Sequence, residues 1–321
     1  MSKLRVGVLR GGPGGEYEVS LKTGAHVMEH LPKETYHPVD IFIDKNGIWH
    51  IQGLERSPGE ISGMVDVVFN ALHGEYGEDG KVQQILEAHK IPYTGSGIQP
   101  SAVGMNKILA KEMARKFGIK VPYHQTITRE EYESSTPYEL FRKILLPVVI
   151  KPLSGGSSVG TSLARTSDEL EEGIENALRH GETVILEQHI RGREATVGVV
   201  DEFRGRKYYA LIPIEIERPR SNDIWNYEDK YSGATREHCP GHFTSSDKKE
   251  LERLAILAHE AIGARHYSRS DFILSPRGIY FLEINTLPGL TKESLVPRAL
   301  SAAGATMPQF LDHLIKLALT K

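Results

Sequence analysis

Between Arg269 and Asn285 two apolar runs flank the turn Ser275-Pro276-Arg277-Gly278. The pattern predicts strands at about residues 270–274 and 279–284 joined as an antiparallel hairpin. Side chains alternate along a strand, so Arg269 and Asp271 share one face, as do Glu283 and Asn285. A hairpin centred near Arg277 sets the two pairs opposite each other. Three oxygen-bearing side chains and one guanidinium among apolar neighbours make a cage suited to Mg²⁺ bound to phosphates. The alternative is an ordinary cross-strand ion pair, although burying Asp, Glu and Asn together without a cation is costly.

A chain of 321 residues exceeds the size at which one core usually keeps growing, so two or three domains are expected. The first apolar run, from Leu4 to Leu9, ends in the glycine turn Gly11-Gly12-Pro13-Gly14-Gly15 and leads into a helix at about 19–31. Strands at 39–43 and 65–71 and a helix at 81–89 complete a small α/β domain with a parallel sheet. A break at Pro92-Tyr93-Thr94-Gly95-Ser96-Gly97 precedes a long helix over 102–117. Further on, strands are expected at 146–152, 183–187, 195–200 and 207–216. Helices are expected at 167–180, opened by Ser167, and at 247–263, with a polar loop over 218–239. This divides the chain into units at 1–100, 101–190 and 191–321. No repeat or low-complexity segment is present.

Hydrophobic residues at 39% and charged residues at 25% fit a globular chain able to bury a core. A net charge of -3 excludes a basic footprint for nucleic acid, so an anionic substrate needs locally placed cations. The lone cysteine, Cys239, allows no intrachain disulfide and reads as a passive small residue in a reducing compartment. The N-terminus lacks the apolar core of a signal peptide, and no stretch approaches the roughly 18 apolar residues that span a bilayer. A cytoplasmic protein with no membrane partner is expected.

Four more constellations carry chemistry. Glu16-Tyr17-Glu18-Val19-Ser20 sets two carboxylates at a helix entrance, which repels a pyrophosphate but suits an ammonium group; the alternative is acidic residues favoured by the helix dipole. Lys151 precedes the loop Ser154-Gly155-Gly156-Ser157-Ser158-Val159-Gly160, whose hydroxyls and free N–H groups suit a phosphate-covering lid, or else a plain polar hairpin. Its order is not that of a Walker A loop. The turn from Thr286 to Ser294 can present N–H groups and hydroxyls to a carboxylate or oxyanion, or serve only the fold. His73, at the carboxyl end of a parallel strand, sits where open α/β sheets bind ligands, or is structural.

Taken in order, Gly11-Gly12 with Glu16 and Glu18-Val19-Ser20, Ala71-Leu72-His73-Gly74 with Gly77-Glu78-Asp79-Gly80, and Pro92 to Gly97 resemble the N-terminal domain of D-alanine:D-alanine ligases. Lys151-Pro152 with Gly156 to Gly160, Lys230-Tyr231, Arg269 with Asp271, and Glu283 to Ser294 resemble that family's ATP-grasp core. The resemblance spans essentially the whole chain. It implies an α/β and α+β multidomain fold, a Rossmann-like parallel-sheet domain followed by a two-lobed ATP-grasp unit, and a homodimer. ATP and two Mg²⁺ ions, with Mn²⁺ as a substitute, are the implied cofactors.

The resemblance also implies roles. Lys107 and Lys151 hold ATP phosphates, Glu187 and Glu194 contact adenine and ribose with Ser158 and Ile190 beside them, and Asp271, Glu283 and Asn285 bind the metal. Glu16 receives the ammonium of the first D-alanine in a hydrogen-bonded set with Ser157 and Tyr231. Lys230 faces the transferred phosphoryl group, and Arg269 with the Gly289 N–H holds the oxyanion. Ser294 and Leu295 bind the second D-alanine, with His73 nearby. The implied reaction joins two D-alanines through an acylphosphate in peptidoglycan precursor synthesis.

Two positions depart from the family pattern: Pro13-Gly14-Gly15 replaces small polar residues, and Lys292-Glu293 puts a charge pair beside the second-substrate site. The nearest rival, a D-alanine:D-lactate ligase, resembles this pattern without the Lys-Tyr pair. A regulatory protein with this fold would not need Arg269, Asp271, Glu283 and Asn285 together. An NAD-dependent oxidoreductase built on the glycine turn, with Asp40 or Asp44 on the ribose, leaves the later motifs unexplained.

Overall fold

Strand β1 (Leu4–Gly11) buries Val6, Gly7, Val8 and Leu9 in succession, as expected of a strand covered on both faces. The structure is a computed structural model and describes residues 3–136, 139, 142, 144–153, 160–217 and 235–320. Helix α1 (Tyr17–His30) carries the chain from β1 over to β2 (Tyr36–Ile43), which runs parallel to β1. A Cβ on Gly11, at φ 93°, would lie 2.2 Å from Ile43 O, so only glycine lets β1 end there. An antiparallel hairpin, β3 (Trp49–Ile51) and β4 (Leu54–Glu55), extends the edge, a feature the sequence reading lacked. Past the short α2 (Pro58–Ile61), β5 (Val67–Asn70) pairs in parallel with the other side of β1 and leads to α3 (Lys81–Ala88).

The helix expected over 102–117 is two helices, α4 (Ile98–Met105) and α5 (Lys107–Lys116). Asn106 breaks them, because its side chain accepts from the N–H groups of Ile108 and Leu109 and caps α5 instead of continuing α4. Next come β6 (His124–Thr128), α6 (Arg129–Ser134), β7 (Val148–Pro152), β8 (Ser162–Ala164), α7 (Ser167–Leu178) and β9 (Thr183–Gln188). These strands form an antiparallel sheet in the order β6-β9-β7-β8. Thr166, one residue before the predicted start, caps α7.

Strand β10 (Arg193–Asp201) is the axis of the third sheet. The single strand expected over 207–216 is two, β11 (Tyr208–Ala210) and β12 (Ile214–Glu217), parted ahead of Pro213, which has no N–H to give a ladder. Both pair with β10. Part of the expected loop is a strand, β13 (Arg236–His238), on β12. Helix α8 (Ser245–Ile262) ends on Gly263 at φ 73°, and β14 (Tyr267–Ser275) and β15 (Gly278–Asn285) complete the sheet. Two further helices, α9 (Leu295–Ala302) and α10 (Met307–Leu319), had no sequence prediction. Among the described residues no helix is long and apolar enough to cross a membrane.

Packing crosses these sheets. Ala110, Ala114 and Ile119 share a core with Val197, Leu251, Phe272 and Phe281, so α5 lies on the third sheet. Val6, Val8 and Phe69 of the first sheet share another with Val200, Tyr267, Leu287 and the α10 residues Phe310, Leu311 and Leu314. Tyr36 adds a polar tie to α10 by donating to Asp312 at 2.8 Å.

A buried histidine ties the first sheet's Gly95 turn to the third sheet. His266, at φ 67°, accepts the Gly95 N–H on Nδ1 at 3.0 Å, while its backbone N–H donates to the Asp201 carboxylate at 2.6 Å. Accepting that N–H requires an unprotonated Nδ1. Burial, then Arg265, push the imidazole down to about 4; Asp201 opposes them, and His313 and His259 add to the depression. Because the folded value lies below the unfolded one of about 6.5, the unfolded chain binds the proton first as pH falls. Stability from this group is therefore complete above about pH 6.5 and is lost as pH falls towards 4, by up to roughly 3 kcal/mol. Denaturant titrations between pH 4 and 7 are expected to show this slope in the native chain and a flatter one in His266→Asn, a residue that tolerates positive φ. Equal slopes would refute the assignment.

Candidate active site

The hairpin pairs as its alternation predicts: Arg269 lies opposite Asn285 and Asp271 opposite Glu283, with a bulge between Asp271 and Phe272. Arg269 grips both oxygens of Asp271, Nε at 3.1 Å and the terminal nitrogen at 3.0 Å, and the Thr196 hydroxyl donates to Asp271 as well. Burial disfavours the Arg269 cation, but Asp271 and Glu283 outweigh it and hold the guanidinium charged. Burial likewise opposes the Glu283 carboxylate, yet Lys107, Lys151, Lys111 and Arg269 bring its pKa below the usual value. Asn285 Oδ1 accepts the Leu287 N–H at 3.0 Å.

Asp271, Glu283 and Asn285 supply hard oxygen donors from adjoining strands, which fits Mg²⁺. Among the described residues no group of three or more His, Cys, Asp or Glu side chains is gathered for a metal. Two carboxylates and one amide suit an ion that takes its remaining ligands from phosphate and water.

Across from the hairpin, Glu187 on β9 is clasped by two lysines. Lys151 on β7 reaches its Oε1 at 2.9 Å, and Lys111 on α5 lies 2.8 Å from its Oε2. Burial would push this carboxyl up, but Lys111 and Lys151 overcome it and hold it down at about 2. Lys107, the first residue of α5, is pushed down by burial, with Glu283 opposing. The family resemblance points Glu187 at adenine, whereas in this structure its two oxygens face lysines. Glu194 is buried on β10, and Ile190 is half-buried between β9 and β10. Lys111 escaped the sequence reading; its position one turn beyond Lys107, on a helix face with Ala110 and Ala114, was the available signal.

On the first sheet's side, Glu16 stands at the N-terminus of α1 beside Gly74, where an added Cβ would come within 2.9 Å of Glu16 Oε2. His73 engages both ring nitrogens, Nδ1 with Leu287 O at 3.0 Å and Nε2 with the Thr23 hydroxyl at 2.8 Å. A carbonyl only accepts, so Nδ1 carries the proton. Glu78, also missed, accepts from Gly74 N at 2.7 Å and Leu287 N at 2.9 Å. Burial, then the nearby Glu16, push its carboxyl up to about 8. The signal was its place in Gly77-Glu78-Asp79-Gly80, read as motif without a role.

His73 and Glu78 thus strap the turn after β15 to the first sheet. Within that turn, a Cβ on Gly289 would lie 2.9 Å from Ser294 Oγ, which contacts the Thr291 hydroxyl at 2.8 Å and accepts its N–H at 3.1 Å. Ser294 stands just before α9 without a side-chain capping bond, Leu295 begins the helix, and Lys292 and Glu293 are exposed. The structure brings together Glu16, His73, Arg269, Asp271, Glu283, Asn285 and the Gly289 to Ser294 turn, with Lys107, Lys151 and Glu187 facing the hairpin. Ser157, Ser158, Lys230 and Tyr231 lie outside the described residues.

Comparison with known proteins follows the same division. A family described as D-ala D-ala ligase C-terminus matches residues 113–316, and one described as D-ala D-ala ligase N-terminus matches residues 5–62 and 54–96. A D-alanine–D-alanine ligase of Desulforamulus reducens is 35% identical over 322 residues, covering 98% of this chain and 99% of its own. Among solved structures, the VanG D-Ala:D-Ser ligase of Enterococcus faecalis aligns with a TM-score of 0.86 at 29% identity, covering 99% of this chain and 100% of that one. The D-alanine–D-alanine ligase of Bacillus anthracis complexed with ATP aligns with a TM-score of 0.81 at 28% identity, over 98% and 97% of the two chains. With both halves of the family matched and relatives alike from end to end, the chain belongs to the D-alanine–D-alanine ligases and has their ATP-grasp fold.

Proposed function

We propose that this protein joins two D-alanines to D-alanyl-D-alanine at the expense of ATP, through a D-alanyl phosphate, and so feeds peptidoglycan synthesis. The observation that carries the reading is the paired hairpin, Arg269 opposite Asn285 and Asp271 opposite Glu283, faced by Lys107 and Lys151. Charges so arranged suit phosphoryl transfer, where catalysis is mostly positioning and charge stabilisation.

Glu16 is the natural seat for the ammonium of the first D-alanine, leaving its carboxylate to take the γ-phosphoryl group. Lys107 and Lys151 neutralise charge on the phosphates, and Mg²⁺ held by Asp271, Glu283 and Asn285 would screen the phosphate oxygens. The second amine, once deprotonated, attacks the acylphosphate carbonyl to form the C–N bond and a tetrahedral species, whose collapse to the amide breaks the C–O bond and releases phosphate. Arg269 and the Gly289 N–H are suited to the oxyanion of that tetrahedral species. Ser294, just before α9, is suited to the second carboxylate because a helix N-terminus favours an anion. His73 acts by holding Leu287 in place.

Ser157 and Tyr231 complete the set around Glu16 in this reading, Lys230 faces the phosphoryl group, Ser158, Ile190, Glu194 and Leu295 contact nucleotide or substrate, and Glu187 serves by holding its lysines. The units 1–100, 101–190 and 191–321 form the substrate and two nucleotide lobes of a cytoplasmic homodimer. The acceptor is D-alanine; the structural likeness to a D-Ala:D-Ser ligase and the exposed Lys292-Glu293 make D-serine and D-lactate the controls. A coupled ADP-release assay with D-alanine alone and with each control tests this, and turnover with L-alanine but not D-alanine would overturn it.

Two substitutions separate the roles. Glu16→Gln removes a charge-assisted contact worth about 1.5–3 kcal/mol, so kcat/KM for D-alanine is expected to fall roughly 10- to 100-fold with the melting temperature little changed. Unaltered kinetics with a lower melting temperature would refute the ammonium role. Glu283→Gln or Asn285→Ala is expected to lower Mg²⁺-dependent turnover by about 100-fold or more for every amino acid tried. A change confined to acceptor choice would show that these side chains do not serve the metal.

A further inference from the structure

Lys111 is a fully buried cation without a place in the chemistry above. Its side chain is 0% exposed, while that of Lys151 is 13% exposed. Its ammonium donates to Leu282 O on β15 at 2.7 Å and lies 2.8 Å from Glu187 Oε2 on β9. The two partners belong to different sheets, β9 to the second and β15 to the third. Lys151 holds the other Glu187 oxygen at 2.9 Å, so one carboxylate joins both lysines.

We infer that Lys111 is a positioning residue that pins the two nucleotide-holding lobes together, fixing Glu187 and through it the reach of Lys151, without itself touching ATP. A buried ion pair seldom adds stability over a well-packed apolar pair of the same volume, but it enforces one geometry because each charge must find its partner. Stability alone does not call for a lysine beside Ala110 and Ala114 on the buried face of α5. Its geometry does something an apolar side chain cannot: it ties a β15 carbonyl, next to Glu283, to the carboxylate that orients Lys151. The spacing between the metal-facing strand and the phosphate-facing lysine is then set by one ammonium group.

This inference rests on the proposal that Lys151 binds a phosphate of ATP, and the variants keep the two apart. In Lys111→Met the KM for ATP and the Kd for ADP measured by calorimetry are expected to rise roughly 10- to 100-fold, while the KM values for D-alanine stay within about 3-fold. Glu187→Gln is expected to give the same split, and the double variant to be no worse than the poorer single within about 2-fold, since both break one pin. If Lys111→Met does not fold, Lys111→Arg, which keeps the charge but misplaces the donors, is expected to show the same split with a near-native melting temperature. A lower melting temperature with unchanged ATP and ADP affinity would overturn the inference, as would additive effects in the double variant. Lys151→Ala is the reference: if it weakens ATP binding while folded Lys111 variants do not, only the pin fails. If Lys151→Ala also leaves ATP binding intact, the phosphate assignment fails instead.

Discussion

A carboxylate removed from water must be matched by charge at close range, and Glu187 is where this protein meets that demand most fully. Both of its oxygens face lysines, one from a neighbouring strand and one from a helix that packs on another sheet. The same cations act on Glu283, so the acidic and basic residues of the cleft form one coupled set. The hairpin, the lysines and the sheets that carry them are arranged so that these buried charges are matched by neighbours of opposite sign, the balance that the proposed binding of a polyphosphate with its metal calls for.

The substrate side is organised differently. Here backbone groups and side chains are stitched across two sheets: Glu78 accepts from Gly74 and Leu287, and His73 holds the Leu287 carbonyl. These bonds bring residues more than two hundred positions apart to one wall of the cleft. Glu16, at the head of α1, and Ser294, at the head of α9, occupy helix entrances on the two partners in that contact. This contact is an interface between the two sheets, and its shape depends on both being in place.

The sequence made the hairpin legible because period-two alternation puts Arg269 with Asp271 and Glu283 with Asn285 on shared faces, whereas the bulge after Asp271 that sets the pairs opposite each other left no local mark. The glycine turn at the end of β1 was legible because it is local. What stayed hidden was set by distant partners. Asn106 looks like one polar residue in a run of helix formers until its side chain is seen capping α5. Lys111 resembles any surface lysine of an amphipathic helix, because nothing within several residues reveals that Leu282 and Glu187 lie above it. Short strands such as β6 and the β3–β4 hairpin have too few residues to show a period, and α9 and α10 follow a turn whose chemistry drew the reading instead.

The helix α10 lies on the opening strand's sheet and completes a core that β1 begins. During synthesis on the ribosome, Val6 and Val8 emerge some three hundred residues before Phe310 and Leu314, and the share of their core that α10 supplies is missing throughout that interval. The core that β1, α1 and β5 share is therefore completed only when the last helix arrives. A chain halted short of α10 leaves part of that core's apolar surface open to water, the kind of surface that chaperones recognise.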